Sequence, residues 1–412
     1  MEPQTETTPL LSIVIPTRNR MPYAISAIES ILRNPHPGIE LVIQDNSDSR
    51  GIETYVLANI EDSRLRYRYA PVPLSFVHNF NAAVELATGE YVSIIGDDDG
   101  VNPEIMEAAA WAKSHDLDCL AVNNTVNYLW EGTGAPSTVF TKVVGGALSV
   151  WDFEGTIDHA DVRKELEKLM HNGGLYYLNF KLPKLYHGLV HRRCLAAVRE
   201  KAGAYFGGLS PDIFASLAIA CVARRVAVTD YPLTIPGACS TSGSVVEGAI
   251  KRHSRNLDDA PHFRFRGEYH WSELVPSIYC RETIWVDSGV AALRAMGRDD
   301  LVEQLNLPKL AAYCLAANRG VTRPVLRTLF TGLRITGRNR LAGAIHFAWS
   351  LMSGPGVEFA RRVWNRLLMI AGTRGVHRIN GLANMVDVSN ALGRHLAENR
   401  WKFEECARRS EL

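Results

Sequence analysis

Residues 91–100 read YVSIIGDDDG. A β-branched, apolar run ends abruptly in Asp97, Asp98 and Asp99, which a glycine follows. Three adjacent carboxylates repel one another unless a cation or strong hydrogen-bond donors offset their charge. The stretch therefore predicts a buried strand that ends in a cation-binding loop.

Strand-like and helix-like runs alternate around this stretch, from residue 10 to residue 124. Strands are predicted at 10–16, 39–45, 65–70, 91–96 and 118–124, and helices at about 22–32, 51–60, 76–86 and 103–114. This alternation predicts a mostly parallel α/β sheet with helices on both faces. Because ligands bind at the carboxyl ends of the strands in such sheets, the polar strand ends PTRNR, DNSDS and GDDDG should meet in one crevice.

The rest of the chain is less regular. We expect an irregular insertion over 126–174 with one helix near 160–170, and then a strand that leads into a helix in LPKLYHGLVHRRCLAAV. Ser210 is a plausible N-cap for a helix that starts with Pro211. From Trp271 onward the pattern is helical. The predicted division is a disordered 1–9, a catalytic domain over 10–265 with halves at 10–125 and 175–265, and a helical C-terminal region over 266–412.

Composition indicates a globular chain of 412 residues, 46% hydrophobic and 22% charged. Its seven cysteines are scattered and form no CxxC pair, which argues against a disulfide framework or a zinc site. The N-terminus is polar and acidic, unlike a signal peptide, and no apolar run is long enough to span a bilayer. We expect a cytoplasmic protein.

The net charge of +1 hides a basic C-terminal region, because residues 319–378 contain eleven arginines, no lysine, no aspartate and one glutamate. Arginines beside Trp and Leu suit a helix that lies on an anionic membrane. The interpretation we favour from the sequence is a helical bundle that packs internally or forms a homo-oligomer, with the arginines solvated. We do not expect nucleic acid as a partner.

The segments LLSIVIPTRNR, LVIQDNSD and HNFNAAVELATGEYVSIIGDDDG together resemble the nucleotide-sugar-binding half of family 2 glycosyltransferases with the GT-A fold. The resemblance covers residues 10–125 and, more loosely, 175–255. It implies a Rossmann-like, mostly parallel central sheet flanked by helices, and an inverting transfer from a nucleotide sugar. A nucleoside diphosphate is an anion, so the carboxylates would hold it through a shared Mg²⁺ or Mn²⁺.

The resemblance also implies roles for individual residues of the donor site. Asp97 would face the ribose and Asp99 would coordinate the metal, with Asp98 between them. The remaining nucleotide-sugar contacts would come from Pro16, Thr17, Arg18, Asn19, Asp45 and Asn79. Simpler interpretations remain open: an acidic turn before the next helix, a solvated arginine, an Asx turn at the aspartate after the second strand, and a surface asparagine.

An inverting transferase needs a general base that removes the acceptor hydroxyl proton. The sequence GGLSPD offers Asp212 in the first turn of a helix, where the family usually has an ED-type motif. By resemblance, a downstream histidine can add a metal ligand, and His253 is the candidate, with His262 as its rival. His187 would line the acceptor side or belong to the core.

The sequence thus predicts a metal-dependent glycosyltransferase. Its donor would be a nucleotide sugar, most simply a UDP-sugar, and its acceptor an envelope glycan or a lipid-linked saccharide. The alternatives are a nucleotidyltransferase, which would normally show a glycine-rich loop after the first strand, and a non-catalytic scaffold that binds nucleotide sugars. The GxxxxGK[ST] and GxGxxG phosphate loops are absent.

Overall fold

The structure is a computed structural model. It describes residues 8–133, 145–242, 257, 260–318, 320–353 and 375–410.

The first part of the chain alternates strands and helices as predicted. Its elements are β1 (Leu11–Thr17), α1 (Met21–Leu32), β2 (Ile39–Asp45), α2 (Gly51–Asn59), β3 (Leu65–Tyr69), α3 (Phe76–Leu86), β4 (Tyr91–Ile94), β5 (Gly100–Val101), α4 (Ile105–Ser114) and β6 (Cys119–Val122). All seven residues of β1 are buried, and so are all seven of β2. Strands buried on both faces belong to the interior of a parallel sheet.

The chain continues with β7 (Val126–Leu129), β8 (Ala147–Trp151), β9 (Ile157–His159), α5 (Val162–His171), β10 (Leu189–His191), α6 (Arg192–Ala202), α7 (Pro211–Ala220), β11 (Val226–Thr229), β12 (Thr234–Ile235) and β13 (Gly237–Ala238). The C-terminal elements are α8 (Arg281–Ala295), α9 (Asp299–Val302), α10 (Leu307–Ala317), α11 (Thr322–Ile335), α12 (340–353), β14 (Val376–Asn380), α13 (Met385–Glu398) and α14 (Phe403–Ser410). Two 3₁₀ turns cover Tyr177–Asn179 and Pro261–Phe263.

Eight strands form the central sheet, in the order β3-β2-β1-β4-β10-β6-β11-β9. The pairs from β3 to β4 are parallel, β10 runs antiparallel to both neighbours, and β11 is parallel to β6. Successive side chains of β1 point to opposite faces: Ile13 and Ile15 enter one hydrophobic cluster and Val14 enters the other. The predicted mostly parallel α/β sheet with two covered faces is confirmed.

The insertion is more regular than expected. Residues 126–129 and 147–151 form two strands of a second sheet, ordered β13-β7-β8-β14, and 157–159 form the edge strand of the central sheet. The predicted helix near 160–170 is present as α5.

The C-terminal region is not helical throughout, because β14 pairs antiparallel with β8 over five residues. The two helices after β14 pack on the N-terminal half. The Met385 amide donates to Ser26 Oγ at 2.8 Å, and the Phe403 amide donates to Glu104 Oε2 at 2.7 Å. Residues 376–410 therefore complete the core beside α1 and α4, which the uniform helical prediction for 266–412 missed. Among the described residues, no helix is both long and apolar enough to cross a membrane.

Candidate active site

Three strand ends meet at the carboxyl edge of the central sheet. The Thr17 hydroxyl, at the end of β1, donates to Asp97 Oδ2 at 2.6 Å, just after β4. The Asn46 amide, just after β2, donates to the Thr17 carbonyl at 3.0 Å. The Asn19 amide donates to Ser47 Oγ at 2.8 Å. The crevice expected from the three polar strand ends is therefore formed.

The acidic loop is buried. Asp97 and Asp99 are each 2% exposed and Asp98 is 4% exposed. Burial raises the pKa of Asp97 to about 7, with Asp98 adding to the shift and Arg20 opposing it. Burial and the neighbouring charge of Asp98 likewise raise the pKa of Asp99 to about 7. The loop therefore favours a bound cation or a bound proton.

The positively charged guanidinium of Arg20 pairs with two carboxylates of this loop. Its Nη1 lies 2.5 Å from Asp97 Oδ1, and its Nη2 lies 2.8 Å from Asp98 Oδ2. The same Nη2 lies 2.6 Å from Cys239 Sγ and 3.4 Å from Ser242 Oγ. Sequence reasoning selected Arg18 and missed Arg20. The available signal was a second arginine two residues further into the loop after β1.

The segment around β13 forms the other wall of the loop. The Gly237 amide donates to Asp99 Oδ1 at 2.6 Å, and the Ser242 hydroxyl donates to Asp98 Oδ2 at 2.5 Å. A Cβ on Gly237 would stand 1.7 Å from the Asp98 carbonyl oxygen, so this position accepts only glycine. The sequence pattern gave no reason to select these residues.

The second carboxylate oxygen of Asp99 is held by three further groups. The Gly96 amide donates to Oδ2 at 2.6 Å and the Tyr186 hydroxyl donates at 2.9 Å. His187 Nε2 lies 3.3 Å from the same oxygen, while its Nδ1 lies 3.1 Å from Thr234 Oγ1. Burial lowers the pKa of His187 to about 3, so its ring is neutral at pH 7. Of the two interpretations left open by the sequence, His187 therefore belongs to the buried support of the acidic loop.

Asp212 lies in the first turn of α7. Its charge adds to the burial that raises the pKa of Tyr177 and Tyr186. The Tyr186 hydroxyl also contacts Asp99, so the charges of Asp212 and of the acidic loop both raise the pKa of this one phenol. Asp212 thus lies within electrostatic range of a phenol that contacts the acidic loop.

The helix start before Asp212 differs from the prediction in one detail. Ser210 occupies the N-cap position of α7 and Pro211 is the first helical residue, but the Ser210 side chain makes no capping hydrogen bond. The backbone amides of Leu209 and Ser210 instead donate to Ser288 Oγ of α8, at 3.0 and 2.9 Å. A neighbouring helix thus fixes the turn that positions Asp212.

Arg18 and Asn19 lie at the outer rim of the crevice. The Arg18 guanidinium donates to Asn46 Oδ1 and Asp48 Oδ1, each at 2.9 Å, and stacks 4.8 Å from the centre of the Phe265 ring. Asn19 Nδ2 donates to Asp48 Oδ2 at 2.8 Å. Both side chains are held by the loop after β2, and their contact with a nucleotide stays a prediction.

Pro16, Asp45 and Asn79 are buried. Asp45 Oδ1 accepts from the Ser47 amide at 2.8 Å, which is the Asx turn left open as an alternative, and its Oδ2 accepts from Tyr67 at 2.7 Å. Asn79 Nδ2 donates to the Thr17 carbonyl at 3.3 Å. Its buried Oδ1 has no hydrogen-bond partner among the described residues, which leaves one acceptor beside the end of β1 unused.

The predicted histidine ligand His253 lies outside the described residues. His262, the alternative candidate, lies beside Tyr279, with the two ring centres 6.5 Å apart. Burial lowers the pKa of His262 to about 4. Within the described ranges, no group of three or more His, Cys, Asp and Glu side chains is arranged to hold a metal. Carboxylate oxygens are the donors that Mg²⁺ or Mn²⁺ prefers, but in this structure Arg20 pairs with Asp97 and Asp98, and four other groups surround the Asp99 carboxylate.

Residues 12–142 match the family model described as glycosyl transferase family 2. This segment, about a third of the chain, is similar to glycosyl transferase family 2. The match contains the strand ends after β1, β2 and β4, and therefore the acidic loop. Tyr186, His187, Asp212 and Gly237 lie beyond it, so the second half of the site is described by this structure alone.

Curated relatives resemble this chain over short segments. The putative colanic acid biosynthesis glycosyl transferase WcaA of Escherichia coli is 37% identical over 97 residues, which are 23% of this chain and 34% of WcaA. A GalNAc(5)-diNAcBac-PP-undecaprenol beta-1,3-glucosyltransferase of Campylobacter jejuni is 31% identical over 97 residues, which are 22% of this chain and 30% of that protein. The chain thus spans about a third of the length of these relatives.

Solved structures give only distant similarity. TarS of Staphylococcus aureus (residues 1–349, with UDP-GlcNAc) is 15% identical, with a TM-score of 0.44, and the alignment covers 80% of this chain and 93% of that one. The similarity to family 2 therefore rests on the match over residues 12–142.

Proposed function

We propose that the protein is a metal-dependent, inverting glycosyltransferase. The donor would be a nucleotide sugar, most simply a UDP-sugar, and the acceptor an envelope glycan or a lipid-linked saccharide. The observation that carries the proposal is the buried acidic loop, Asp97 to Asp99, which lies at the meeting point of three strand ends within the family 2 segment. The names of WcaA and of the Campylobacter jejuni enzyme, both transferases, support the acceptor class.

The donor would lie against the ends of β1 and β2. The buried Asn79 Oδ1, which has no partner among the described residues, lies close to the Thr17 carbonyl and would accept a hydrogen bond from the nucleotide. Arg18 and Asp45 lie on the β2 side, where the base and ribose would sit. An anionic diphosphate would then extend toward Arg20 and the acidic loop.

The acidic loop would hold Mn²⁺ or Mg²⁺ through the Asp99 carboxylate, and the bound ion would stabilise the negative charge of the leaving diphosphate. The chain's own contribution is to fix the loop before the donor arrives. Tyr186 and the Gly237 amide orient the Asp99 carboxylate from opposite sides. Such preorganisation lowers the cost of assembling the site.

Asp212 is the proposed general base, which would take the proton from the acceptor hydroxyl as that oxygen attacks the anomeric carbon. A cavity of about 530 Å³ lies between α3 and the segment 203–207, a few residues before Asp212. Tyr205, Phe206 and Arg266 line it. Aromatic and charged side chains of this kind suit a saccharide, so we assign the cavity to the acceptor.

A cytoplasmic location is part of the proposal. The seven cysteines are all free thiols in the structure, in keeping with a reducing compartment.

A panel of nucleotide sugars, each tested by thermal shift with and without Mn²⁺, checks the donor site because a ligand that binds the folded state raises its apparent stability. At least one UDP-sugar should stabilise the protein in a Mn²⁺-dependent way. Asp99→Asn should remove that dependence, whereas the exposed Asp299→Asn should not. Unchanged UDP and Mn²⁺ affinity in Asp99→Asn would refute the site. Donor binding without any hydrolysis or transfer would favour the scaffold alternative.

A further inference from the structure

Helix α12 exposes a continuous apolar stripe, defined as Leu341, Ile345, Trp349 and Met352. These side chains are 71%, 63%, 64% and 73% exposed, respectively. Their spacing of four, four and three residues places them on one face of the helix. Single exposed apolar residues are common on protein surfaces, but a contiguous apolar face usually marks a contact site.

The opposite face of α12 is anchored to the protein. A Cβ on Gly343 would stand 2.4 Å from the Leu333 side chain of α11, so the two helices are in close contact there. Phe347 packs against the main hydrophobic cluster, and Ser350 is buried. The helix is therefore held by one side, and the apolar stripe points away from the core.

The preceding helix, α11, presents a basic face. Arg323, Arg327 and Arg334 are exposed and repeat at intervals of four and seven residues, with the partly exposed Phe330 between them. Residues 320–353 contain five arginines and neither aspartate nor glutamate. The two neighbouring helices thus offer apolar and cationic side chains without any acidic group.

We propose that α11 and α12 form a surface that binds anionic lipid bilayers. The apolar stripe would enter the interfacial region, with Trp349 at headgroup depth, and the arginines would bind lipid phosphates. The charge pattern argues for this partner over a second copy of the chain. Two such surfaces packed on each other would bring the arginines of both copies together, and neither helix carries a carboxylate to offset their charge. The phosphates of an anionic bilayer would offset that charge directly.

Flotation of the full chain with vesicles tests the proposal. The protein should bind vesicles of phosphatidylcholine mixed with phosphatidylglycerol and should bind pure phosphatidylcholine vesicles much less. Binding should weaken as salt is added, because exposed charges are screened. Absence of binding to anionic vesicles at low salt, or equal binding to both kinds of vesicle, would overturn the proposal.

Matched variants separate the two parts of the surface. Arg327→Gln with Arg334→Gln should lower the partition coefficient by about 30-fold, since each arginine near an anionic surface contributes about fivefold. Ile345→Ser with Trp349→Ser should also lower it, at every salt concentration. The controls are Arg163→Gln on α5 and Leu57→Ser on α2, which change equally exposed side chains elsewhere and should leave binding unchanged.

Two further measurements distinguish this inference from other outcomes. Thermal shift with a nucleotide sugar should be the same for the stripe variants and the unaltered chain, because the inference does not depend on the proposed donor site. Sedimentation velocity detects a second copy. If Ile345→Ser with Trp349→Ser converts a dimer to a monomer and leaves vesicle binding unchanged, the stripe is a dimer interface and the proposal is wrong.

Discussion

Replacing Arg20 should destabilise the protein strongly, because this guanidinium neutralises two buried carboxylates. The Arg20 side chain is 20% exposed, whereas those of Asp97 and Asp98 are 3% and 6% exposed. Removal of one partner from a buried ion pair typically costs about 3–5 kcal/mol, since the other charge is left without compensation. We therefore expect Arg20→Gln to lower the free energy of unfolding by an amount in this range at pH 7.

Urea denaturation of four proteins measures this effect: the unaltered chain, Arg20→Gln, Asp97→Asn with Asp98→Asn, and the combination of all three changes. If the cost arises from uncompensated carboxylates, Arg20→Gln should cost much less when both aspartates are already neutral. A loss below about 1 kcal/mol in the single variant, in the range of an exposed ion pair, would refute the reasoning. An equal loss in both backgrounds would also refute it.

The same substitution tests whether Arg20 competes with a metal. Arg20 pairs with Asp97 and Asp98, two of the three carboxylates of the acidic loop where a divalent cation would bind. Arg20→Gln should therefore bind Mn²⁺ more tightly than the unaltered chain when no donor is present. Isothermal titration showing weaker Mn²⁺ binding in the variant would mean that the arginine and the metal do not share these oxygens.

Three other substitutions give distinct expectations. Asp212→Asn should keep donor affinity but lose about 10²–10⁴ in turnover, as expected for a general base, and near-normal kcat in steady-state assays would exclude that role. Gly237→Ala should weaken UDP binding measured by titration, because its Cβ would stand 1.7 Å from the Asp98 carbonyl oxygen; unchanged affinity would show that the loop can move. Burial would raise the pKa of Glu40, but hydrogen bonds, chiefly from Ser12 and Thr88, outweigh it and lower that pKa. The Glu40 carboxylate therefore stabilises the folded protein at pH values above its pKa in the unfolded chain, and this stabilisation is lost as the pH falls through its folded-state pKa. Glu40→Gln should thus reduce stability at pH 7 and flatten its loss in acid, and an unchanged acid profile in pH-dependent urea melts would contradict this.

Local patterns in the sequence were sufficient to predict the first strands of the central sheet. The runs that predicted strands at 10–16, 39–45 and 65–70 correspond to β1, β2 and β3 within one residue at each end. Strands β1 and β2 are buried on both faces, which requires a short, largely apolar run. The edge strand β3 instead alternates arginine with leucine and tyrosine, and both patterns are visible without knowledge of the neighbouring strands. The abrupt change from apolar residues to Asp97–Asp99 also marked the carboxyl edge of the sheet correctly.

Contacts between segments that are far apart in the chain could not be predicted from local sequence patterns. The Asp99 carboxylate is held by Tyr186 and Gly237, which follow it by 87 and 138 residues. Nothing in their local sequence distinguishes them from other buried residues. The pairing of β14 with β8 was likewise hidden, since a five-residue strand within a helical region carries little periodic signal.

The alternating α/β order, the resemblance of residues 10–125 to family 2 glycosyltransferases and the place of the acidic loop could be predicted from the sequence, because each depends on residues close together in the chain. The tertiary structure decided which charged groups meet. It placed Arg20 between two aspartates and turned Arg18 toward Asp48 at the rim. Two arginines two residues apart in one loop have the same local chemistry, and only the position of the β13 segment against the acidic loop makes their surroundings different.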